Sequence, residues 1–221
     1  MTNPAPPSPA PPAAALPGRE AIVEAALDMA EADGPGGWSR LQLHALARAL
    51  GITLRDLQAQ FDGKDAIAEA WFDRADRALL AAAEAPDWLQ RSARERLQAL
   101  ITAWLDELGP HHALAGEMLR YKVQPEHLHL QVGGLLRISR TVQWLREAAA
   151  LPSAGWRREA EEAVLSAIFV ATVLGWLGDR SPGFARTHDA LARRLAAAES
   201  AASRWPFAGK GQGDDVRRWS R

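Results

Sequence analysis

The histidines are the first residues to consider for chemistry, because four of the six stand in two close pairs, His111-His112 and His127-x-His129. Neutral imidazole is a common protein ligand for zinc. Adjacent histidines point to different faces of a helix, and no acidic cluster completes a plausible ligand set around either pair. We therefore interpret them as surface or helix-start histidines and predict no metal site.

The sequence contains no recognisable combination of catalytic residues either. No serine or aspartate stands with a histidine in a recognisable nucleophile motif, and no glycine-rich phosphate loop is present. The chain has no cysteine, which excludes thiol chemistry, disulfides and thiolate metal sites and fits a reducing compartment. The sequence predicts a protein that is not an enzyme and needs no cofactor.

Nucleic-acid recognition is the chemistry that the stretch LARALGITLRDLQAQFDGKDAI, residues 46–67, favours instead. Cationic and amide side chains bind phosphates and base edges, whereas an aspartate is repelled unless it accepts a hydrogen bond from cytosine. We expect four side chains to face a DNA groove and three to face phosphates, with His44 and Asp56 nearby. The full candidate set is Arg40, His44, Arg48, Thr53, Arg55, Asp56, Gln58, Gln60 and Lys64, of which Thr53, Arg55, Gln58 and Gln60 face the groove and Arg40, Arg48 and Lys64 the phosphates.

The charge balance opposes this interpretation. The whole chain has a formal net charge of −1, and residues 19–80 contain seven basic and eleven acidic residues. Affinity for DNA rests largely on neutralised phosphates. DNA binding therefore requires the basic residues to gather on one face while the acids lie on the other.

The elements that must position these residues are all helices, because apolar residues recur at three- and four-residue spacing and no segment alternates like a strand. The first 18 residues are rich in Pro and Ala and predict a disordered tail. Glycines and prolines separate the remaining segments. The predicted helices cover residues 19–33, 39–50, 54–60, 63–83, 89–108, 111–121, 127–150, 155–178 and 184–203.

The second and third helices are spaced as a helix-turn-helix. Ser39 and Thr53 are expected to cap them, and Gly51 supplies the left-handed residue at the turn. Small Ala47 allows the two axes to cross closely. Apolar residues then form a tight core between the helices, namely Leu46, Ala47, Leu50, Ile52, Leu57 and Phe61.

These residues, together with Phe61-Asp62-Gly63-Lys64, resemble the TetR family of transcriptional regulators. The resemblance implies an all-α fold with a three-helix helix-turn-helix domain at 19–70 and an antiparallel helical body at 71–203. It also implies a homodimer that inserts recognition helices into two major grooves of operator DNA, and a body that holds a hydrophobic effector. A tyrosine common in the family is replaced here by Gln58.

Large apolar residues in the second half fall at helical spacing. They can line an elongated pocket for a lipid or another hydrophobic small molecule, or they can be bundle core or a dimer face. The candidate ligand-binding residues are Trp104, Met118, Leu135, Trp144, Phe169, Val173 and Trp176.

A second resemblance is to COQ9 proteins, carried by Trp176-Leu177-Gly178-Asp179-Arg180-Ser181 with Thr187, by Leu191-Ala192-Arg193-Arg194 and by Asp73-Arg74-Ala75-Asp76-Arg77. It implies an isoprenoid-binding accessory protein of ubiquinone biosynthesis that keeps the TetR fold without reading DNA. Asp179 and Ser181 either form a family-specific surface or hold a helix-helix corner by capping.

Residues 204–221 contain five basic and two acidic residues, interleaved with aromatic ones. Three interpretations remain open: contact with an anionic membrane surface, contact with DNA backbone, or a flexible polar tail. The N-terminus lacks the pattern of a signal peptide, and no stretch approaches about 18 uninterrupted apolar residues. We therefore expect a cytoplasmic protein.

Overall fold

The computed structural model describes residues 16–123, 128–152 and 154–204, with side chains described outside 120–136. Within these ranges the chain is helical and contains no strand. It divides into two compact units, residues 1–68 and 69–221. The predictions for His127, for residues 1–15 and for residues 205–221 lie outside the described residues.

The first unit is built on α1 (Arg19–Ala32), which buries one apolar face at the predicted spacing. Helix α2 (Gly37–Arg40) packs so closely on it that a Cβ atom at Gly37 would lie 1.9 Å from the carbonyl oxygen of Ala30. Only glycine permits this approach, because no other residue lacks the Cβ atom. The Gly-rich turn at 34–37 is therefore a packing contact as well as a loop.

The predicted helix at 39–50 is wrong in its continuity, because the chain forms α2 and a separate helix, α3 (Leu43–Ala49). Ser39 lies inside α2 and does not cap it. The Lys64 ammonium accounts for the break: its Nζ donates to the carbonyls of Trp38 and Ser39, at 3.0 Å each. In a continuous helix those carbonyls would accept amides four residues later.

The turn between α3 and α4 (Leu54–Gln58) has the predicted form. Gly51 adopts a φ of 68°, and the amide of Ile52 donates to the carbonyl of Ala47 across 3.0 Å. This is the hydrogen bond expected where a left-handed residue ends a helix. Leu46, Ala47, Leu57 and Phe61 are buried, so the two short helices share a core.

Helix α5 (Lys64–Ala82) begins in the first unit and continues into the second. The second unit adds α6 (Ala93–Leu108), α7 (His112–Val123), α8 (Leu128–Ala148), α9 (Trp156–Leu177) and α10 (Ala185–Ser203). These bounds follow the predicted ones, except that α6 starts after a 3₁₀ turn at Trp88–Gln90. The core of the second unit contains Trp104, whose ring is stacked on Phe72 and edge-on to Phe169, with ring centroids 6.3 and 5.1 Å apart.

Helix α9 is long and apolar enough to cross a membrane, judged by its 22 residues and a mean hydropathy of 1.6 over an 18-residue window. Core helices of soluble proteins satisfy the same criteria. In this bundle α9 packs against both α8 and α10 and buries a stripe that includes Leu165, Phe169 and Trp176.

Candidate functional site: a helix-turn-helix surface and an apolar groove

Helix α4 starts with a capping box between Thr53 and Asp56. The Thr53 hydroxyl accepts the amide of Asp56 at 3.1 Å and donates to its Oδ2 at 2.6 Å, while the Thr53 amide donates to the same Oδ2 at 3.0 Å. The hydrogen bond from the Thr53 side chain, followed by the one from its backbone, lowers the pKa of Asp56. The carboxylate is therefore anionic at neutral pH and engaged in holding the helix start.

Two of the predicted phosphate ligands are occupied within the first unit. Arg40 donates through Nε to Asp33 at 2.6 Å and through Nη1 and Nη2 to backbone carbonyls of Pro35 and Asp33. Lys64 is held by the α2 carbonyls, and its burial lowers its pKa. Both cations brace α2, so neither is a free charge for DNA in this conformation.

Gln60 also turns away from the exposed side of α4. Its Nε2 donates to the carbonyl of Pro17 at 3.1 Å, and its backbone carbonyl accepts from Arg19. Arg19 in turn lies 4.0 Å over the ring of Phe61. These contacts fasten the segment before α1 to the end of the helix-turn-helix.

The four remaining candidates of the predicted set are exposed and are not held by the contacts described above. His44 and Arg48 are exposed on α3, and Arg55 and Gln58 are exposed on α4. Among the described residues, no hydrogen-bond or ion-pair partner is found for the side chains of Arg48, Arg55 and Gln58. The structure thus leaves four of the nine predicted DNA-binding side chains available to a ligand.

The predicted ligand-binding residues lie mainly in packed core. Trp104, Met118, Phe169, Val173 and Trp176 are buried, and Trp104 donates its indole N–H to Asp76 at 2.9 Å. Trp144 is 45% exposed on α8. The side chain of Leu135 lies outside the described residues.

An apolar groove of about 600 Å³ opens elsewhere, between α6, α9 and α10. Apolar side chains form most of its wall, including Leu97, Val164 and Leu195. Arg94 and Glu199, 3.3 Å apart, form an ion pair at its edge. None of the predicted ligand-binding residues lines this groove.

A charged network between α5 and α8 was missed by the sequence analysis. Arg137 contacts Glu69 at 2.7 Å, Asp73 at 2.8 Å and Asp76 at 2.9 Å. Asp76 is buried and also accepts from Trp104 and from the Thr141 hydroxyl. Acidic residues at 69, 73 and 76 share one helical face, which was a readable signal for a cationic partner.

The corner between α9 and α10 is held by Asp179. Its Oδ1 accepts the Ser181 hydroxyl and amide, at 2.6 and 2.8 Å, and its Oδ2 accepts the Thr187 hydroxyl and amide, at 2.8 and 2.9 Å. These bonds, with the Ser181 hydroxyl first, hold the pKa of Asp179 far below its ordinary value. Of the two interpretations, the capped corner accounts for these residues.

Aromatic packing closes the same corner. Phe184 adopts a left-handed φ of 54°, which is unfavourable for a non-glycine residue. Its ring lies 5.0 Å from His112 and 5.6 Å from Trp176, and His112 Nε2 is 2.8 Å from the Trp176 carbonyl. His112 begins α7, as predicted, and packs against this corner.

Comparisons with known proteins agree with this architecture. The crystal structure of the TetR transcriptional regulator from Nitrosomonas europaea ATCC 19718 is 35% identical, with a TM-score of 0.73, and the match covers 82% of this chain and 98% of that one. The COQ9 family model matches residues 160–202, which span most of α9 and α10. Both comparisons point to a protein that is not an enzyme. Among curated proteins, none matches the sequence.

Proposed function

The chain belongs to the TetR family of transcriptional regulators, and we propose that it binds operator DNA as a homodimer and responds to a hydrophobic effector. The observation that carries the proposal is the exposed set His44, Arg48, Arg55 and Gln58 on α3 and α4. Arg55 and Gln58 lie on α4, the second helix of the helix-turn-helix, which is the element that enters the major groove, and His44 and Arg48 lie on the helix before it.

The capping box resolves part of the charge problem. Asp56 gives its Oδ2 to the amide and hydroxyl of Thr53, so its charge is partly satisfied by local donors. Exposed Arg48 and Arg55 then supply the cationic contacts nearest the turn. With so few free cations, we expect modest non-specific affinity and a shallow salt dependence.

Fluorescence anisotropy with the protein's own upstream region tests this proposal. A plot of log K against log salt concentration falls with a negative slope, and each lost phosphate contact makes that slope shallower by about 0.9. Arg48→Ala should lose about one such contact. Arg186→Ala, an exposed arginine on α10, is the matched control and should leave the slope unchanged. A folded dimer that binds no DNA at low salt would contradict the regulator function.

The homodimer is proposed to form through α9 and α10. Trp156, Val164 and Leu174 are exposed on α9 at fractions of 58%, 48% and 64%, and their spacing places them on one side of the helix. An exposed apolar stripe of this kind is typical of an interface between copies. Leu174→Glu should shift the mass measured by light scattering from dimer to monomer. Leu89→Glu, at a leucine that is 74% exposed in another element, should not.

The effector is proposed to bind in the apolar groove. Its volume lies in the range of small-molecule sites, and its wall is apolar with a few charged groups at the edge. A tryptophan at Ala93, on the α6 wall of this groove, fills space there and should weaken binding of a fluorescent apolar dye such as 1-anilinonaphthalene-8-sulfonate. Leu89→Trp, outside the groove, controls for the added indole.

A second candidate function is a COQ9-like accessory role, favoured by the family-model match over residues 160–202. In this function the second unit binds an isoprenoid quinone precursor, and the helix-turn-helix is kept as a fold without reading DNA. The groove includes residues of the matched segment, among them Val164, Ile168 and Leu195.

Native mass spectrometry of the purified protein and quinone analysis of a deletion strain separate the two functions. Co-purified isoprenoid lipid together with lowered ubiquinone supports the accessory role. Normal quinone levels, no bound lipid and a specific DNA shift support the regulator.

Residues 205–221 are also proposed to contact anionic membrane surfaces. Co-sedimentation with anionic vesicles tests this by comparing the full chain with a chain that ends at Arg204.

A further inference from the structure

The side chains available for base recognition on α4 are fewer than its sequence indicates. Thr53 and Asp56 occupy each other through three hydrogen bonds within the capping box. Redirecting either side chain to a base would release the start of a helix that has only five residues. A short helix loses much of its stability when its cap is removed. These two residues therefore hold α4 in shape.

A different contact makes the side chain of Gln60 unavailable for base recognition. Its side-chain amide is half-buried and donates to Pro17, ahead of α1. A glutamine that reads adenine needs both its amide N–H and its carbonyl oxygen pointing at the base edge. The contact with Pro17 directs the amide group toward the segment before α1 instead.

Three exposed side chains then remain on α4: Leu54, Arg55 and Gln58. Helical geometry places positions 54, 55 and 58 within about 100° of one another, with 58 one turn beyond 54. They therefore form one continuous patch. Leu54 is the unusual member, because 51% of this large apolar residue is exposed beside two polar residues.

We infer that these three residues determine the operator sequence, with Leu54 contacting the 5-methyl group of thymine. That methyl is the apolar feature of the major groove, and it suits an apolar side chain. Arg55 suits the two acceptors of guanine, and Gln58 suits the donor and acceptor of adenine. Asp56 stays in the capping box and does not select cytosine. This inference rests on the proposed regulator function and deepens it.

The decisive experiment removes single methyl groups from DNA. Once footprinting has located the operator, each thymine in it is replaced by uracil, which pairs identically but lacks the 5-methyl group. For wild-type protein, one replacement in only one of the two half-sites should weaken binding about fourfold, the effect of one buried methyl group. The same replacement should leave the affinity of Leu54→Ala unchanged. Circular dichroism confirms that this surface variant is folded.

Two further variants test the other assignments. Arg55→Ala should lose about tenfold or more of its preference for the guanine pair, a larger loss than its loss of affinity for non-operator DNA. Asp56→Ala should weaken binding to every operator variant by the same factor, because it loosens α4 as a whole. Loss of preference at one cytosine pair in Asp56→Ala would instead show that the aspartate reads a base, and would overturn the inference.

The outcomes separate this inference from the function on which it rests. A protein that binds no operator contradicts the regulator function itself. Specific binding that is insensitive to every uracil replacement, in wild type as in Leu54→Ala, contradicts only the role of Leu54.

Discussion

Two aspartates in this molecule have the same local task in different surroundings. Asp56 and Asp179 each accept the hydroxyl and the amide of a nearby residue, and each has a lowered pKa for that reason. Asp56 serves one residue at the start of α4. Asp179 is 6% exposed and serves two residues, Ser181 and Thr187, at a corner that joins two long helices.

The difference shows that the contribution of a helix cap to stability depends on how deeply the cap is buried. When the Asp56 bonds break, water can replace them at a partly exposed helix start. When the Asp179 bonds break, the buried amide and hydroxyl of Thr187 are left without an acceptor, which is costly. We expect the buried corner to determine stability and the exposed box to influence mainly the DNA-reading surface.

The largest effect is expected for Asp179→Ala, which removes the acceptor from four donors at once. The melting temperature should fall by about 10 °C or more, measured by calorimetry. Asp189→Ala, at an exposed aspartate on α10, is the control and should change it little. A fall in Asp179→Ala no larger than that in Asp189→Ala would contradict the stabilising role of the corner.

Trp104→Phe should have an intermediate effect. It removes one donor to the buried Asp76 carboxylate and keeps most of the aromatic packing on Phe72 and Phe169. We expect the melting temperature to fall by about 3–6 °C. Trp156→Phe, at an exposed tryptophan, supplies the comparison. An unchanged melting temperature in Trp104→Phe would show that Thr141 and Arg137 satisfy the carboxylate alone.

Asp56→Ala should have a smaller effect on stability. Loss of an exposed cap lowers the melting temperature of a chain of this size by about 2–4 °C. Asp62→Ala, a nearby exposed acid outside the capping box, controls for the lost charge. If Asp56→Ala were as destabilising as Asp179→Ala, burial would not be what separates the two caps.

The smallest effect is expected in the acid dependence of stability. The pKa values of Asp56 and Asp179 are both lower in the folded protein than in the unfolded chain. The stabilisation from each ionised carboxylate is therefore complete above the ordinary carboxyl pKa and is lost as the pH falls below about 4. Asp179→Asn should therefore flatten the decline of melting temperature between about pH 4 and pH 2. Asp56→Asn should flatten it less, and the reverse order would contradict the assigned partners.

Sequence reasoning succeeded where structure is decided locally. The bounds of α1 and α5, the turn at Gly51 and the Thr53 cap depend on residues a few positions apart, and the structure confirms them. The Asp56 capping box had a readable Thr-x-x-Asp pattern as well. The sequence analysis places Asp56 near the DNA instead, because a recognition helix points polar residues at DNA.

Sequence reasoning failed where a residue far along the chain determines the local structure. The break between α2 and α3 depends on Lys64, which is 25 positions from Ser39. Similarly, helical periodicity places Trp104 and Leu165 alike on buried faces, yet one packs in the core and the other lines the groove. The groove is formed jointly by residues of α6, α9 and α10, and the spacing of residues within one helix does not show how neighbouring helices lie.

The Asp179 corner also has a consequence for the order of folding. Its hydrogen bonds join residues at most eight positions apart, so forming them closes only a short loop and costs little chain entropy. Contacts of this kind form quickly compared with those between distant segments. We therefore expect α9 and α10 to pair early, as a hairpin on which the remaining helices of the second unit assemble.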